Sequence, residues 1–145
     1  MAKIPFTLRE LTNAWREASR VANITPRSNP HKLLLFYAVE CGLKAVYLKS
    51  KGQDVIDENI AGNLQHNINK IATLVNLSSA HHIPSDLTLS VCKIKNQDII
   101  RKCGVGELNQ VWRYGGKLLD TGGSSDAIVE SKLLNMNQWI SKELR

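Results

Sequence analysis

The chain has 145 residues, of which 43% are apolar and 22% charged, and its formal net charge is +6. This composition excludes an intrinsically disordered segment, and the length suits one domain, residues 1–145, with one hydrophobic core. The longest apolar stretch, Leu33 to Leu48, contains Glu40 and Lys44 and is too short to cross a bilayer, which excludes it as a transmembrane helix. Although the charge alone is compatible with an anionic membrane, we expect no membrane partner.

A capping box begins the first predicted helix. Thr7 and Glu10 have the Thr-x-x-Glu spacing, in which each side chain satisfies a backbone amide that the helix start leaves unpaired. Apolar residues then recur every three or four positions until Pro26, which disfavours helical geometry in the residue before it. A second helix is predicted to begin shortly afterwards, with Asn29 as its N-cap and Pro30 in its first turn.

The second predicted helix is apolar on nearly every face from Leu33 to Leu48. A helix without a polar face is packed on most sides, so we place it at the centre of the fold. Three further helices and a short helical piece are predicted at Leu64–Val75, Ser85–Arg101, Leu108–Trp112 and Ser125–Leu144. Alternating β patterns are not evident, and the sequence therefore predicts an all-α fold, a compact bundle of about four to five helices around the central helix.

The cysteines and the N-terminus indicate a reducing compartment. Cys41, Cys92 and Cys103 are odd in number and form no CxxC pair, which argues against a disulfide framework or a zinc knuckle. The first residues lack the apolar run and cleavage site of a secretory signal. Phosphate-loop, GxSxG and HExxH motifs are also missing. We therefore expect a cytoplasmic protein with no metal and no cofactor.

The surplus of positive charge favours a polyanionic partner, and RNA, DNA and anionic membrane are all compatible with it. The alternative is a basic protein without a charged partner. Within the central helix, Glu40 and Lys44 lie four residues apart and can pair. They mark either the one face of the helix that reaches water or a polar seam that opens on a binding site, and burial requires a partner in both cases.

An arginine between two aromatic residues is the strongest local signal for nucleic-acid binding. Arg113 is suited to a phosphate, Trp112 or Tyr114 can stack on a base, and Lys117 adds charge nearby. The alternative is that both aromatic residues fill the end of the bundle and that Arg113 is an ordinary surface residue.

The histidines allow a structural and a functional interpretation. His66 is predicted in the first turn of the third helix, where a histidine is more often a cap or a packing residue than a catalyst. His31 follows Arg27 in a loop stiffened by prolines, and the pair is either a solvated helix start or part of a binding surface. His81 and His82 are adjacent, which disfavours a shared metal ion, and we assign them to a loop.

Taken together, these features resemble the HEPN family, the helical domains named for higher eukaryotes and prokaryotes nucleotide-binding. The segment 38–47, with its Glu and Lys, is similar to the central helix of that family. The segment 66–71 is similar to its His-polar-apolar-x-Lys-apolar segment, and Arg113–Tyr114 before a final amphipathic helix is similar to its late Arg-Tyr pair. The resemblance covers most of the chain and implies a helical bundle that acts on RNA, usually as a homodimer.

Many HEPN proteins are metal-independent ribonucleases that use an arginine and a histidine a few residues further on, but no histidine follows Arg113 in this chain. The resemblance therefore implies an RNA-binding or partner module that lacks the standard catalytic pair and works in a toxin–antitoxin or phage-defence type system, with a nucleotidyltransferase or an antitoxin as a protein partner.

An alternative is an active ribonuclease, a toxin that cleaves tRNA or mRNA at a rearranged site containing Arg113 and His66. A third possibility is an interaction protein whose charge is incidental. The residues assigned to RNA binding are Arg113, Tyr114, Trp112, Lys117, Lys44, Glu40, Arg27 and His31.

Overall fold

The computed structural model describes residues 5–56, 64, 66–119 and 125–145. Within these residues the α-helices are α1 (Leu8–Ala22), α2 (Asn29–Lys51), α3 (Ile68–Leu74), α4 (Leu108–Arg113) and α5 (Asp126–Glu143). The strands are β1 (Leu87–Thr88), β2 (Cys92–Ile94), β3 (Gln97–Ile99) and β4 (Lys102–Cys103), and short 3₁₀ helices occupy Ser79–His81 and Val105–Glu107. The fold is predominantly helical, with two small antiparallel sheets.

The start of α1 has the predicted capping box. The Thr7 hydroxyl accepts a hydrogen bond from the Glu10 amide at 3.1 Å, and the Glu10 carboxylate accepts one from the Thr7 amide at 3.0 Å. The helix ends at Ala22, before the proline that was expected to stop it. On the side of α1 that faces α5, the Trp15 indole donates to the Asn137 amide oxygen at 2.7 Å and joins the two helices.

The central position of α2 is confirmed. It contacts α1, α3, α4 and α5, and side chains along its whole length, including Phe36, Leu43 and Leu48, are completely buried. Pro30 lies in its first turn as expected, but Ser28, not Asn29, occupies the N-cap. The helix ends at Lys51, and its C-cap is Gly52, whose φ of 64° is in the left-handed region that glycine adopts without steric cost.

The prediction of a helix over residues 85–101 is wrong, and so is the prediction of a purely all-α fold. This segment forms most of the two sheets: β1 pairs with β4 and β2 pairs with β3, both antiparallel. The β2–β3 hairpin closes through Lys95 and Asn96, which both have positive φ, 53° and 64°, as a tight type I′ turn requires. Val91 and Ile94, two apolar residues of the segment predicted as a helix, are 51% and 54% exposed.

The third predicted helix is shorter than expected at its start. α3 begins at Ile68, because the side chain of Asn67 accepts a hydrogen bond from the Lys70 amide at 3.2 Å and caps the helix there. His66 therefore precedes the helix instead of lying in its first turn, and residue 65 of the predicted helix is outside the described residues. The start of α5 agrees with the prediction, since Ser125 is its N-cap.

The described helices and cysteines bear on membrane insertion and on disulfide bonds. Among residues 5–56, 64, 66–119 and 125–145, no helix combines the length and the apolar character needed to cross a bilayer. Cys41, Cys92 and Cys103 all lie in these ranges, and each is a free thiol.

Candidate functional site

One face of α2 carries a polar stripe in an otherwise apolar helix. Tyr37, Glu40 and Lys44 follow at spacings of three and four residues, which places their side chains on the same side. Glu40 is one of the few charged residues buried among the described residues, with 5% of its surface exposed. Because an ionised carboxylate is stable in such a place only with partners, its contacts define the centre of the site.

Glu40 has two cationic or potentially cationic partners. One of its carboxylate oxygens, Oε2, lies 2.8 Å from Nδ1 of His66 and 3.5 Å from Nζ of Lys44. An ionised carboxylate only accepts hydrogen bonds, so the His66 proton on this side belongs to Nδ1. In the neutral ring Nε2 then carries the free lone pair. About half of the His66 side chain is exposed, so the histidine joins a buried anion to the surface.

The backbone holds His66 in an uncommon conformation. Its φ is 61°, in the left-handed region that residues with a Cβ rarely adopt. The next residue, Asn67, is fixed as the N-cap of α3. The imidazole is thus positioned by the carboxylate on one side and by the capped helix start on the other. Backbone strain of this kind is concentrated at functional sites, which makes His66 the leading candidate for chemistry.

Tyr37 connects this group to α4. Its hydroxyl accepts a hydrogen bond from the guanidinium of Arg113, the last residue of α4, and its ring centroid lies 6.5 Å from that of His66. The bond to Tyr37, with a smaller contribution from Tyr114, raises the pKa of Arg113 above its already high value. We call Tyr37, Glu40, Lys44, His66 and Arg113 the polar cluster.

The polar cluster combines groups that suit a phosphodiester. Arg113 is exposed and offers guanidinium N–H donors, Tyr37 offers a hydroxyl, and His66 offers a nitrogen that can accept a proton. Glu40 acts indirectly, because its carboxylate is occupied by His66 and Lys44. The arrangement can therefore bind an anion at Arg113 and can accept or donate a proton at His66, a few ångströms beyond Tyr37.

Trp112 does not lie on this surface. It is 2% exposed, and its indole N–H donates to the carboxylate of Asp126 at 3.1 Å. The expectation that Trp112 stacks on a base is corrected, because its ring belongs to the hydrophobic core. The aromatic partner left at the surface is Tyr114, which is 76% exposed.

Arg27, His31 and Lys117 are apart from the polar cluster. The Arg27 side chain is 7% exposed, bonded to Glu130 at 3.0 Å, and so occupied in joining the end of α1 to α5. His31 lies in the first turn of α2, where its Nδ1 is 2.8 Å from the Ser28 hydroxyl. Lys117 is exposed. In the described part of the chain, no hydrogen bond or ion pair connects these three residues to the cluster.

The described residues contain no group of three or more His, Cys, Asp or Glu side chains placed to hold a metal ion. Of the free thiols, Cys41 adjoins Glu40 and Cys103 lies in β4. Burial raises the pKa of Cys41 to about 11, helped by the negative charge of Glu40, and burial likewise raises the pKa of Cys103 to about 11, helped by Glu107. Both thiols are therefore protonated at neutral pH and are poor nucleophiles.

Sequence reasoning missed Tyr37. It was counted among the apolar residues of the central helix, although its spacing of three from Glu40 places it on the polar stripe. Glu40, Lys44, His66 and Arg113 were all named from the sequence, and Tyr37 is the residue through which the structure brings Arg113 to the others.

No family model matches the chain, and no curated protein or solved structure is significantly similar to it.

Proposed function

We propose that this chain is an RNA-binding domain of the HEPN type and that the polar cluster, with Tyr114 beside it, is the RNA-binding surface. The observation that carries the proposal is the bond from the exposed Arg113 to Tyr37, whose ring lies beside that of His66, with the exposed Tyr114 directly after Arg113 in the chain. The net charge of +6 supports it, because a basic protein attracts a polyanion from a distance.

Arg113 and Tyr114 supply complementary contacts. The guanidinium forms bidentate hydrogen bonds with a phosphate, and its bond to Tyr37 orients it in advance. The exposed Tyr114 ring offers a face on which an unpaired base can stack. Contacts to phosphate and to base faces give affinity with little sequence preference, so we propose binding that depends strongly on salt and weakly on sequence.

The test is the affinity of the purified chain for a labelled single-stranded RNA, measured by fluorescence anisotropy. Arg113→Ala and Tyr114→Ala are each expected to weaken binding about fivefold or more, the value of one good phosphate or stacking contact. Arg9→Ala, which removes an exposed cation from α1, is the matched control and is expected to change the affinity less than twofold.

The salt dependence adds a second readout. The affinity of the unsubstituted chain is expected to fall steeply between about 50 and 200 mM salt, and the slope is expected to decrease by about one in Arg113→Ala. Absence of RNA binding at low salt, or equal effects of Arg113→Ala and Arg9→Ala, would contradict the proposal.

A second candidate function is metal-independent cleavage of RNA, and the Glu40–His66 contact favours it. Glu40 fixes the proton on Nδ1 of His66, which leaves Nε2 as a base for the 2′-hydroxyl. The 2′-hydroxyl would pass its proton to Nε2 and its oxygen would attack the adjacent phosphorus, so that a 2′,3′-cyclic phosphate forms as the P–O5′ bond breaks. The leaving 5′-oxygen would take a proton from water, and the imidazolium would return its own proton to solvent. Arg113 is the cation that would stabilise the negative charge on the phosphoryl oxygens.

Cleavage is tested on the same RNA in the presence of a chelator, with a 2′-deoxy copy of the substrate as a control. His66→Ala is expected to abolish cleavage while most of the RNA affinity, which Arg113 and Tyr114 supply, is retained. Glu40→Gln is expected to reduce cleavage about tenfold or more, because the imidazole loses its orienting anion. If the unsubstituted chain leaves the RNA intact under conditions in which it binds, this second candidate is wrong and binding alone remains.

The resemblance also suggests a biological setting. The proposal includes a cytoplasmic homodimer that pairs with a nucleotidyltransferase or an antitoxin in a toxin–antitoxin or phage-defence system. Co-purification from the native host at low salt tests for the partner, and light scattering tests for the dimer. A chain that is monomeric at micromolar concentration would contradict the dimeric part of the proposal, and a failure to co-purify any protein would contradict the partner.

A further inference from the structure

A groove lies between β4 and the C-terminal end of α4. Its cavity volume is about 250 Å³, and the polar residues that line it are Arg101, Lys102, Glu107, Gln110 and Tyr114. Tyr114 directly follows Arg113 in the chain, so the groove adjoins the polar cluster. A volume slightly below that of ordinary small-molecule sites, which begin near about 300 Å³, suits one nucleotide better than a larger ligand.

The two basic residues of the groove differ in how they are held. Arg101 donates to the backbone oxygen of Ser90 at 3.0 Å, which fixes its guanidinium against the segment that follows β1 and leaves other N–H groups to donate. Lys102 is exposed, and its ammonium has no hydrogen-bond or ion-pair partner among the described residues. Together they give one wall of the groove the charge that a phosphate requires.

The opposite wall supplies groups that suit a base. Tyr114 is 76% exposed and provides an aromatic ring. Gln110 carries both donors and an acceptor. Glu107 accepts a hydrogen bond from the Gly104 amide at 3.2 Å through Oε1, so its second oxygen is available to the exocyclic amino group of a base.

The groove wall that carries the two basic residues is fixed by strand pairing. β1 and β4 are antiparallel, with Leu87 opposite Cys103. Just beyond β1 and β4, the Leu89 amide donates to the Arg101 oxygen at 2.8 Å and continues their pairing. The Ser90 amide donates to the Lys117 oxygen at 2.9 Å and joins this part of the chain to the segment after α4. A wall held in this way requires little ordering when a ligand binds, which favours affinity.

From this arrangement we infer that the groove is a binding site for one unpaired nucleotide of the RNA, next to the phosphate that Arg113 binds. The inference rests on the proposed RNA-binding function and specifies its substrate class as single-stranded RNA. In a duplex the base faces are stacked on their neighbours, so the Tyr114 ring cannot reach a face. The pairing edges of the bases are also occupied, so the Gln110 and Glu107 side chains cannot bond to them as described.

Anisotropy with single-stranded RNA, with the same RNA containing one abasic nucleotide, and with a blunt duplex tests the inference. Lys102→Ala and Gln110→Ala are each expected to weaken binding of the single strand about three- to tenfold. The matched control is Lys95→Ala, which removes the same charge from the exposed turn of the β2–β3 hairpin, outside the groove, and is expected to have less than a twofold effect. Thermal melting verifies that each variant is folded.

Two further results are expected if the groove holds an unpaired nucleotide. The unsubstituted chain binds the abasic RNA several-fold more weakly than the intact RNA, and this difference is smaller in Tyr114→Ala, which has already lost the stacking contact. The unsubstituted chain binds the duplex about tenfold more weakly than the single strand.

The inference is overturned if Lys102→Ala and Gln110→Ala behave like Lys95→Ala while Arg113→Ala still weakens binding; in that case the proposed function survives without the groove. Equal affinity for duplex and single strand would also overturn it. A complete lack of RNA binding would overturn both proposals, so the two failures are distinct.

Discussion

Glu40 is the buried anion of the polar cluster, and its partners are less enclosed than it is. The Lys44 and His66 side chains are 20% and 51% exposed, against 6% for Glu40. When the carboxylate is removed, both partners can turn to water, so no unpaired charge stays buried. The loss of stability therefore comes mainly from the two charge-assisted hydrogen bonds.

We expect Glu40→Ala to lower the free energy of unfolding by about 1–2 kcal/mol. Urea denaturation measures the change, with Glu17→Ala on the exposed side of α1 as the control that should alter stability by less than about 0.5 kcal/mol. Equal stability of Glu40→Ala and the unsubstituted chain would show that the carboxylate makes no net contribution to the fold.

Cys41 gives the protein a pH dependence at the alkaline end. The pKa of its thiol is raised from 9.0 to about 11, first by burial and then by Glu40. The folded state therefore binds this proton more tightly than the unfolded state does. The stabilisation is complete below pH 9 and is lost as the pH rises from 9 through about 11, because the unfolded thiol ionises first.

We expect the free energy of unfolding of the unsubstituted chain, measured by urea denaturation, to fall more steeply than that of Cys41→Ala between pH 9 and 11, by up to about 1.4 kcal/mol per pH unit. Below pH 8 the difference between the two proteins should be constant. Parallel curves across the whole range would contradict the assignment of a raised pKa to this thiol.

At the scale of elements, Gly42 sets how closely α2 approaches α1 and α5. A Cβ at this position would lie 2.7 Å from the Trp15 ring and 2.7 Å from Cγ2 of Ile140. Alanine would gain about 1 kcal/mol in helix propensity, but the overpacking outweighs this gain because both neighbours are held by other contacts.

We expect Gly42→Ala to lower the free energy of unfolding by about 1–2 kcal/mol in urea denaturation. A double-mutant cycle with Ile140→Ala provides the control, since that change removes the atoms of Ile140 that the new methyl group would meet. The double variant should be more stable than the sum of the two single losses implies. Strict additivity would show that Gly42 is not in contact with Ile140.

The elements that the sequence predicted correctly are those whose signals are local. The Thr7–Glu10 capping box and the Ser125 N-cap depend on residues a few positions apart, and both are present in the structure. The strands were not predicted because each has only two or three residues, too few for an alternating pattern, and because the Lys95–Asn96 turn contains no glycine.

The candidate site was predicted in its parts but not in its assembly. Glu40 and Lys44 are related by helical spacing, so their pairing follows from the sequence. The approach of His66 and Arg113 to them depends on how α3 and α4 pack on α2, and no spacing rule contains that information. Trp112 and Arg27 were assigned to RNA binding on residue type alone, and their burial in the structure comes from contacts with α5.

At the scale of the whole molecule, Asp126 joins parts of the chain that are distant in sequence. Its Oδ1 accepts from the Trp112 indole at 3.1 Å and from the Leu118 amide at 3.2 Å, and its Oδ2 lies 3.5 Å from Nζ of Lys32. One carboxylate at the start of α5 thus holds α4, the segment after it, and α2 together.

We expect Asp126→Ala to lower the free energy of unfolding by about 2–4 kcal/mol, because it leaves the buried Trp112 indole N–H without its acceptor and removes the other two contacts as well. Asp98→Ala is the control: its side chain is 69% exposed, and the change should cost less than about 0.5 kcal/mol. The tryptophan emission of Asp126→Ala in urea reports the transition. A midpoint equal to that of Asp98→Ala would contradict this role.

The order of the helices along the chain has a consequence for synthesis. α1 and α2 are consecutive and form the most extensive helix pair among the described residues, so they can associate as soon as both have left the ribosome. The side of α2 at Gly42 is covered by Ile140 only when α5 has been made. A nascent chain therefore displays an apolar face of α2 for most of its translation. Until α5 docks, that face is open to chaperones and to aggregation.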